Sequence, residues 1–529
     1  MKKAIITALI GTAPFMAFAQ SAVDAYQLAQ PELRGTARFM AMGGAFGALG
    51  GNLSTLTQNP GGIGVYRGND VGVTLNLDIQ SVKSMAQGFG MTKNQTKFNC
   101  NNFGYVGSIM TNGDFMPVFN WGASYSRTQS FDRAYHGRFN SLNGSLSNYI
   151  AGYTNGIPSN ELLPSKGYNP YQDSFNPWIS ILGYNSYIIN PIGNSDKYTG
   201  LWQDGTSGTG GFDVLEKGYV DEYSINFGGN IMNTVYWGMG FGITDINYES
   251  STYYEEDLNN ALIPNSEATG VENGNGGFGL DNWKRISGNG FNFKTGIIVA
   301  PINELRFGLA VHTPTYYNLS QEGWAQIDYG YSSGYSNTAQ TDDGYTDYFE
   351  WKYRTPWRLI ASVAGVIESQ FIVSFDYEYR PYQNMNAKDN DGNQYNDIKG
   401  DIETYYQTCN IFRLGGEYRI NRNLSARIGY SSQSSPSTAQ FKNNDVDVWT
   451  FGVDETETQP SYQIDDKTQY ITCGLGYRYK ELYIDAAYVH KNRKSTFHAY
   501  TPNNFTSTPP SAKITDNNNQ IVLTLGMRF

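Results

Sequence analysis

The last nine residues of the chain carry an apolar residue at every second position. Ile521, Leu523, Leu525, Met527 and Phe529 are apolar, with Val522, Thr524, Gly526 and Arg528 between them. A period of two belongs to a β-strand whose two faces meet different surroundings. The pattern recurs along the chain. Phe412, Leu414, Gly416, Tyr418 and Ile420 alternate with Arg413, Gly415, Glu417 and Arg419. Phe371, Val373, Phe375, Tyr377 and Tyr379 alternate with Ile372, Ser374, Asp376, Glu378 and Arg380. Residues 424–430 and 471–479 follow the same rule.

Alternation fits a soluble sandwich as well as a membrane barrel, and the connections decide between them. Fourteen strands are predicted, near 70–82, 103–111, 118–129, 219–231, 235–248, 289–300, 305–317, 355–366, 370–381, 408–419, 424–433, 468–479, 481–491 and 519–529. Each reaches the roughly 9–11 residues that a tilted strand needs to cross hydrocarbon. Short turns (Met232–Thr234, Pro301–Glu304, Asn421–Asn423) take turns with long polar loops (Pro381–Gln407, Ser434–Lys467, Asn492–Asn518). Such segregation marks a transmembrane antiparallel β-barrel with periplasmic turns and extracellular loops. The apolar phase must face lipid, because Arg at the midplane of that face costs about 2–4 kcal/mol. Closure also pairs every backbone group that lipid cannot hydrogen-bond.

Export is written at the other end. Met1–Ala19 has Lys2 and Lys3, an apolar run from Ala4 to Phe18, and a small-x-small end at Ala17–Ala19, which is a secretory signal with a mature start at Gln20. A net charge of −11 argues against nucleic acid as a partner, since phosphate binding needs a basic face. Three cysteines (Cys100, Cys409, Cys473) form neither a disulfide framework nor a metal motif. No cofactor and no enzymatic activity are expected. Of four histidines only His312 falls on an inward phase, where it is a wall residue or, in a haem-receptor reading, an axial ligand. Asp389–Asp397 has the acidic look of a calcium loop but lacks the usual glycine.

Residues 20–69 do not alternate and are rich in glycine, too few and too small to bury a core of their own. Fourteen strands enclose a bore too wide for side chains alone to fill. Residues 20–69 are therefore expected to form a plug in the periplasmic half, with 70–529 as the barrel. The stretch Gly35-Thr-Ala-Arg38-Phe-Met-Ala-Met-Gly43-Gly44-Ala45-Phe46, followed by Asn52-Leu53-Ser54 and by Asn59-Pro60-Gly61, resembles the N-terminal hatch of the FadL/TodX (OmpP1) family of outer-membrane transport proteins. Gly61 stands where that family has Ala. The resemblance implies passive uptake of long-chain fatty acids or aromatic hydrocarbons across the outer membrane of a Gram-negative bacterium. It further implies ligand capture by extracellular loops and lateral release gated by the hatch. Outer-membrane lipid, lipopolysaccharide and the barrel-assembly machinery, which reads a terminal aromatic such as Phe529, are the expected partners of a monomer. The alternatives are a surface adhesin or structural barrel, a general aqueous porin, and a haem-binding receptor.

Three sets of residues are singled out for the bore. Arg38, Gly43, Gly44, Asn59, Pro60 and Gly61 make the hatch motif. Val106, Met110, Ile298, Ala300, Ala364, Val366 and Ile372 form an inward apolar belt, which meets either the hatch or a hydrophobic ligand. Asp376, Glu378, Arg413, Glu417, Arg427 and Arg478 form an ionic wall, structural or able to orient a ligand carboxylate through a guanidinium. In the loop between Ser130 and Gly218, Trp178, Ile179, Ile181 and Leu182 are read as a capture patch or a lid.

Overall fold

A computed structural model describes residues 21–529 except 112, 268–269, 369, 447–455 and 503–508. The export signal lies outside the described residues. Fourteen antiparallel staves form the wall: β1 (Asp70–Ala86), β2 (Phe89–Met110), β3 (Val118–Ser130), β4 (Ser207–Ile231), β5 (Val235–Pro264), β6 (Val271–Ile302), β7 (Leu305–His312, resuming as Tyr316–Tyr331), β8 (Asp347–Arg354, resuming as Arg358–Ile367), β9 (Phe371–Pro381), β10 (Thr408–Arg419), β11 (Leu424–Gln433), β12 (Tyr462–Tyr479), β13 (Leu482–His498) and β14 (Ser511–Arg528). Each pairs with its sequence neighbours, and β1 pairs with β14 from Asp70↔Arg528 to Met85↔Lys513, so the sheet closes.

The two faces part as the alternation requires. On β1 the inward Asp70, Thr74, Asn76, Asp78 and Gln80 are buried. Outward side chains such as Leu523, Leu525, Phe375, Leu414, Ile471 and Phe307 are exposed around the whole barrel. An apolar belt of that extent belongs in hydrocarbon rather than water.

Several staves run far beyond the belt. On β5 the exposed apolar phase ends near Ile243, while the strand continues to Pro264. The long strands and the loop from 131 to 206 build an extracellular cap. Its helices Leu146–Thr154 and Trp178–Asn185 pack Leu146, Ile150, Ile179, Ile181 and Leu182 against Leu280 and Ile327 of the wall. Trp178, Ile179, Ile181 and Leu182 are thus buried and offer no exposed capture patch.

The N-terminal segment, residues 21–69, lies inside the bore. It comprises α1 (Ala22–Ala29), α2 (Ala37–Ala41), α3 (Thr55–Gln58) and a 3-10 turn Pro60–Val65. Ser21, Thr36 and Asn59 cap α1, α2 and the 3-10 turn by accepting from backbone N–H groups. The segment is not confined to the periplasmic half. The apolar face of α1 finds its partners higher up, where Tyr26 sits against Tyr382 and Tyr406 with ring centroids 5.1 Å apart in each case. Lys284, well above the belt on β6, donates to Asp24 at 2.9 Å.

Candidate functional site

The site is the filled bore. The Asn59-Pro60-Gly61 motif lies against the inward face of β5 and β6, where the wall is glycine. A Cβ at Gly238 would stand 2.1 Å from the Pro60 carbonyl oxygen, and one at Gly296 would stand 1.9 Å from Asn59 Oδ1. Gly61 itself has no room for a methyl, because its Cβ would fall 2.9 Å from the Gly296 carbonyl oxygen. The plug backbone at Gly61 is thus seated directly on β6. Asn59 Oδ1 accepts from Gly61 N at 3.0 Å, while its Nδ2 donates to the carbonyl of Gly47. On the far wall Gly43, at φ +62°, approaches the Tyr430 backbone, and Gly43 N donates to Thr472 Oγ1 at 3.1 Å.

Charge fixes the rest of the segment. Arg38 Nε donates to Glu417 at 2.8 Å, Arg427 Nε reaches the same carboxylate at 2.6 Å, and Arg427 Nη1 also pairs with Asp485. Asp376 accepts from Phe46 N (3.1 Å), Gly47 N (2.9 Å) and Gln58 Nε2 (3.0 Å). Glu378, with no exposed side-chain surface, gathers Arg358, Arg380 and Arg413. His312 Nε2 lies 2.9 Å from the Gln58 carbonyl, so it faces the plug. Much of the ionic wall is therefore a socket. Arg478 does not belong to it: it is exposed at the rim, and its Nε donates to the Lys480 carbonyl, because β12 has already left the bore there.

The belt residues divide. Val106 packs with Leu53, Leu56, Ile63 and Tyr66 of the plug, and Ala364 and Ile372 pack with its Leu33, Phe39 and Met40 cluster. Ile298 is buried, whereas Ala300 and Val366 are half-buried. Met110, 53% exposed, stands outside the bore because β2 ends there. None of the seven lines the largest cavity found between plug and wall among the described residues. That cavity, about 150 Å³, lies above the plug between Leu28–Gly35, Phe39 and Gln58 on one side and the wall on the other. Its wall carries Lys294, His312, Arg358, Arg380, Arg413 and Glu222, and Lys294 pairs with Glu222.

Sequence reasoning missed several groups. Arg34 of the plug pairs with Glu32 (2.6 Å) and with Asp78 of β1 (3.2 Å). Lys294 and Glu222 meet across the bore side of β4–β6. Their signal was available, since both lie on inward phases otherwise made of small residues. In the loop at 389–397, Asp389 is occupied by its own turn, accepting from Asn393 N (2.7 Å) and Asn393 Nδ2 (2.8 Å).

Taken together, the closed belt, the glycine-lined wall and the seated segment define a class: a fourteen-stranded transmembrane barrel with its bore filled by its own N-terminus. Comparison with solved structures places the fold. A Pseudomonas aeruginosa FadL homologue matches with a TM-score of 0.52 and 13% identity, covering 94% of this chain and 99% of that one. The Pseudomonas putida toluene transporter TodX matches with a TM-score of 0.47 and 14% identity over 94% and 99%. No family model matches the chain, and no curated protein is similar to it. The fold is thus that of the FadL homologue.

Proposed function

We propose that this chain is an outer-membrane channel for passive uptake of small hydrophobic compounds, taken up at the extracellular face and released past the N-terminal plug. The observation that carries this reading is a bore stoppered by the protein's own segment, held by ion pairs and backbone contacts as well as by apolar packing. An open aqueous pore has no use for such a stopper. Of the two cargo classes implied by the hatch resemblance, the cavity favours the fatty acid: Arg358, Arg380 and Arg413 share one carboxylate, Glu378, and leave cationic capacity beside a polar cavity. A hydrocarbon without a head group would meet Leu28, Leu33, Phe39 and Val220 there but leave the guanidinium groups unused.

Uptake of a labelled fatty acid, its methyl ester and toluene by cells with and without the protein tests this. The fatty acid should enter faster only when the protein is present, with the ester and toluene behind it. Equal uptake in both strains would reject the channel. Deleting residues 20–66 should turn a quiet barrel into a water-filled one, raising planar-bilayer conductance about tenfold or more. An unaltered conductance would mean that the segment does not stopper the bore.

A further inference from the structure

Among the described residues, one seam of the wall joins staves that are not consecutive in sequence: β1 with β14. Consecutive staves are brought together by the connection between them. The closing pair must meet across the whole barrel sequence, which makes it the most non-local pairing in the fold and the slowest kind to form. The plug touches this seam at three heights. At each height one atom of the plug, one of β1 and one of β14 belong to a single set of hydrogen bonds.

At the periplasmic end Asp70 of β1 lies opposite Arg528 of β14. Arg528 Nε donates to Asp70 at 3.1 Å, and its Nη2 donates to the Gly51 carbonyl of the plug at 2.7 Å. Just below, Asn69 and Phe529 exchange backbone bonds of 2.7 and 3.1 Å, so the ladder starts where the plug ends. Further up, the hydroxyls of Thr74 and Thr524 are 2.8 Å apart, and Ala37 N donates to Thr524 Oγ1 at 2.7 Å. Ala37 opens α2, so this N–H is one that the helix itself cannot use. Higher again, Asp78 accepts from Arg34 of the plug at 3.2 Å and from Asn518 of β14 at 3.0 Å. Asp70, Thr74, Asp78, Thr524, Asn518 and Arg34 are all buried. From Asp70 to Asp78 the three sets cover roughly 27 Å of seam at strand rise. Between the first two, the facing pair Gly72↔Gly526 offers no side chain, and the plug covers it: a Cβ at Gly72 would fall 3.1 Å from Leu53 Cδ1.

We propose that the plug has a second function, separate from transport: it is the clasp on which the barrel closes. Joined to β1 through residues 67–69, it docks on that stave by pairing Arg34 with Asp78, and β14 then seats against both at once. Without the plug, Thr524 and Arg528 each lose a partner, and the edge that receives β14 is a bare strand. Arg38–Glu417 makes the contrast, since it fixes the plug to β10, away from the closing seam.

Refolding of the full mature chain tests this. Urea-unfolded protein is diluted into detergent micelles, and closure is timed by the appearance of the heat-modifiable, fast-migrating band on a gel. Two variants are compared with the wild type. Arg34→Met combined with Thr524→Val strips the clasp, whereas Arg38→Met removes a plug–wall pair away from the seam. The first should close about tenfold more slowly and the second within about twofold of the wild type, as expected when the clasp forms in the rate-limiting step. Closure of the first at the wild-type rate, with only its unfolding accelerated, overturns the proposal, because the contacts then form after the barrel has shut. Equal slowing by both variants overturns it too. Where the Val variant gives no closed barrel, Thr524→Ser decides: closure at the wild-type rate supports the clasp, since the hydroxyl is kept, and failure overturns it. Cargo is not measured, so either result leaves the uptake reading standing.

Discussion

The cap and the plug are both insertions against the same wall, yet they meet it through different chemistry. In the cap, Leu146, Ile150, Ile179, Leu182, Ile188 and Ile189 are fully buried, and one carboxyl, Glu256, tethers the first helix. In the bore, the plug adds to its apolar contacts with Val106, Ala364, Tyr382 and Tyr406 the pairs Arg38–Glu417, Arg34–Asp78 and Lys284–Asp24 and backbone packed onto glycine. Dry apolar packing is cooperative and leaves no water-filled alternative. Ion pairs in a bore can exchange for water when the segment shifts, so their net stabilisation is small while their removal singly is costly. The cap is held mainly by apolar packing, with Glu256 as a tether, whereas the plug adds ion pairs and glycine contacts to its apolar clusters.

Breaking the ionic side gives the largest effect. Glu417→Gln leaves Arg38 and Arg427 without their shared carboxylate, and a one-sided loss of a buried pair costs about 3–5 kcal/mol. Open-channel events in planar bilayers should become frequent while barrel heat-stability in detergent is kept. Unchanged gating would show that glycine contacts alone seat the plug. The converse test is Leu182→Ala in the cap. Emptying that site costs about 2–5 kcal/mol, should expose the 146–185 region to protease, and should leave conductance as it was.

A pH effect sharpens the contrast. Glu256 accepts from Leu146 N (2.9 Å) and Tyr254 OH (2.8 Å) and also bonds Ser145, but burial outweighs these bonds and raises its pKa to about 7. The raised value means that the folded cap holds a proton that the unfolded chain releases at about 4.5. Cap stability should therefore be constant below that pH and fall by about 1.4 kcal/mol per unit up to pH 7, then level off. Protease nicking of the cap at pH 5 and pH 8 measures it. Glu256→Gln should flatten the profile; a slope that survives the substitution belongs to another group.

Legibility in the sequence followed the same division. Where one face meets lipid and the other water, period two is enforced, and each of the fourteen staves has a counterpart among the predicted strands. Beyond the bilayer the outward face is polar and the inward face mixes Ser250, Thr252 and Glu256 with Tyr254 and Leu258, so β5 and β6 run to Pro264 and from Val271 without a clean alternation, and the predicted 235–248 and 289–300 stop short. The strands near 305–317 and 355–366 read as continuous because Pro314 and Pro356 are single residues in long patterns; only pairing shows that they face each other. The plug's motif was legible. Its reach to Tyr382 and Tyr406 was not, because α1 carries an ordinary apolar stripe that names no partner. Val106, Ala364 and Ile372 were legible as inward and Met110 was misplaced there, and the partner of the three could be read only from packing.

Gly61 gives the smallest and most diagnostic perturbation. Adding one methyl there places a carbon 2.9 Å from a wall carbonyl that ladder bonds hold in place, so the plug rather than β6 must give way. Overpacking of this kind costs about 1–3 kcal/mol, less than the loss of Glu417. If the plug is seated chiefly by backbone contact, Gly61→Ala should raise the frequency of openings several-fold without changing their size, since the displaced segment is the same. If charge dominates, Gly61→Ala should be silent in a wild-type background and emerge only beside Glu417→Gln. The double variant separates the two: additive effects mean independent anchors, whereas an effect larger than the sum means that one anchor holds the segment while the other is strained.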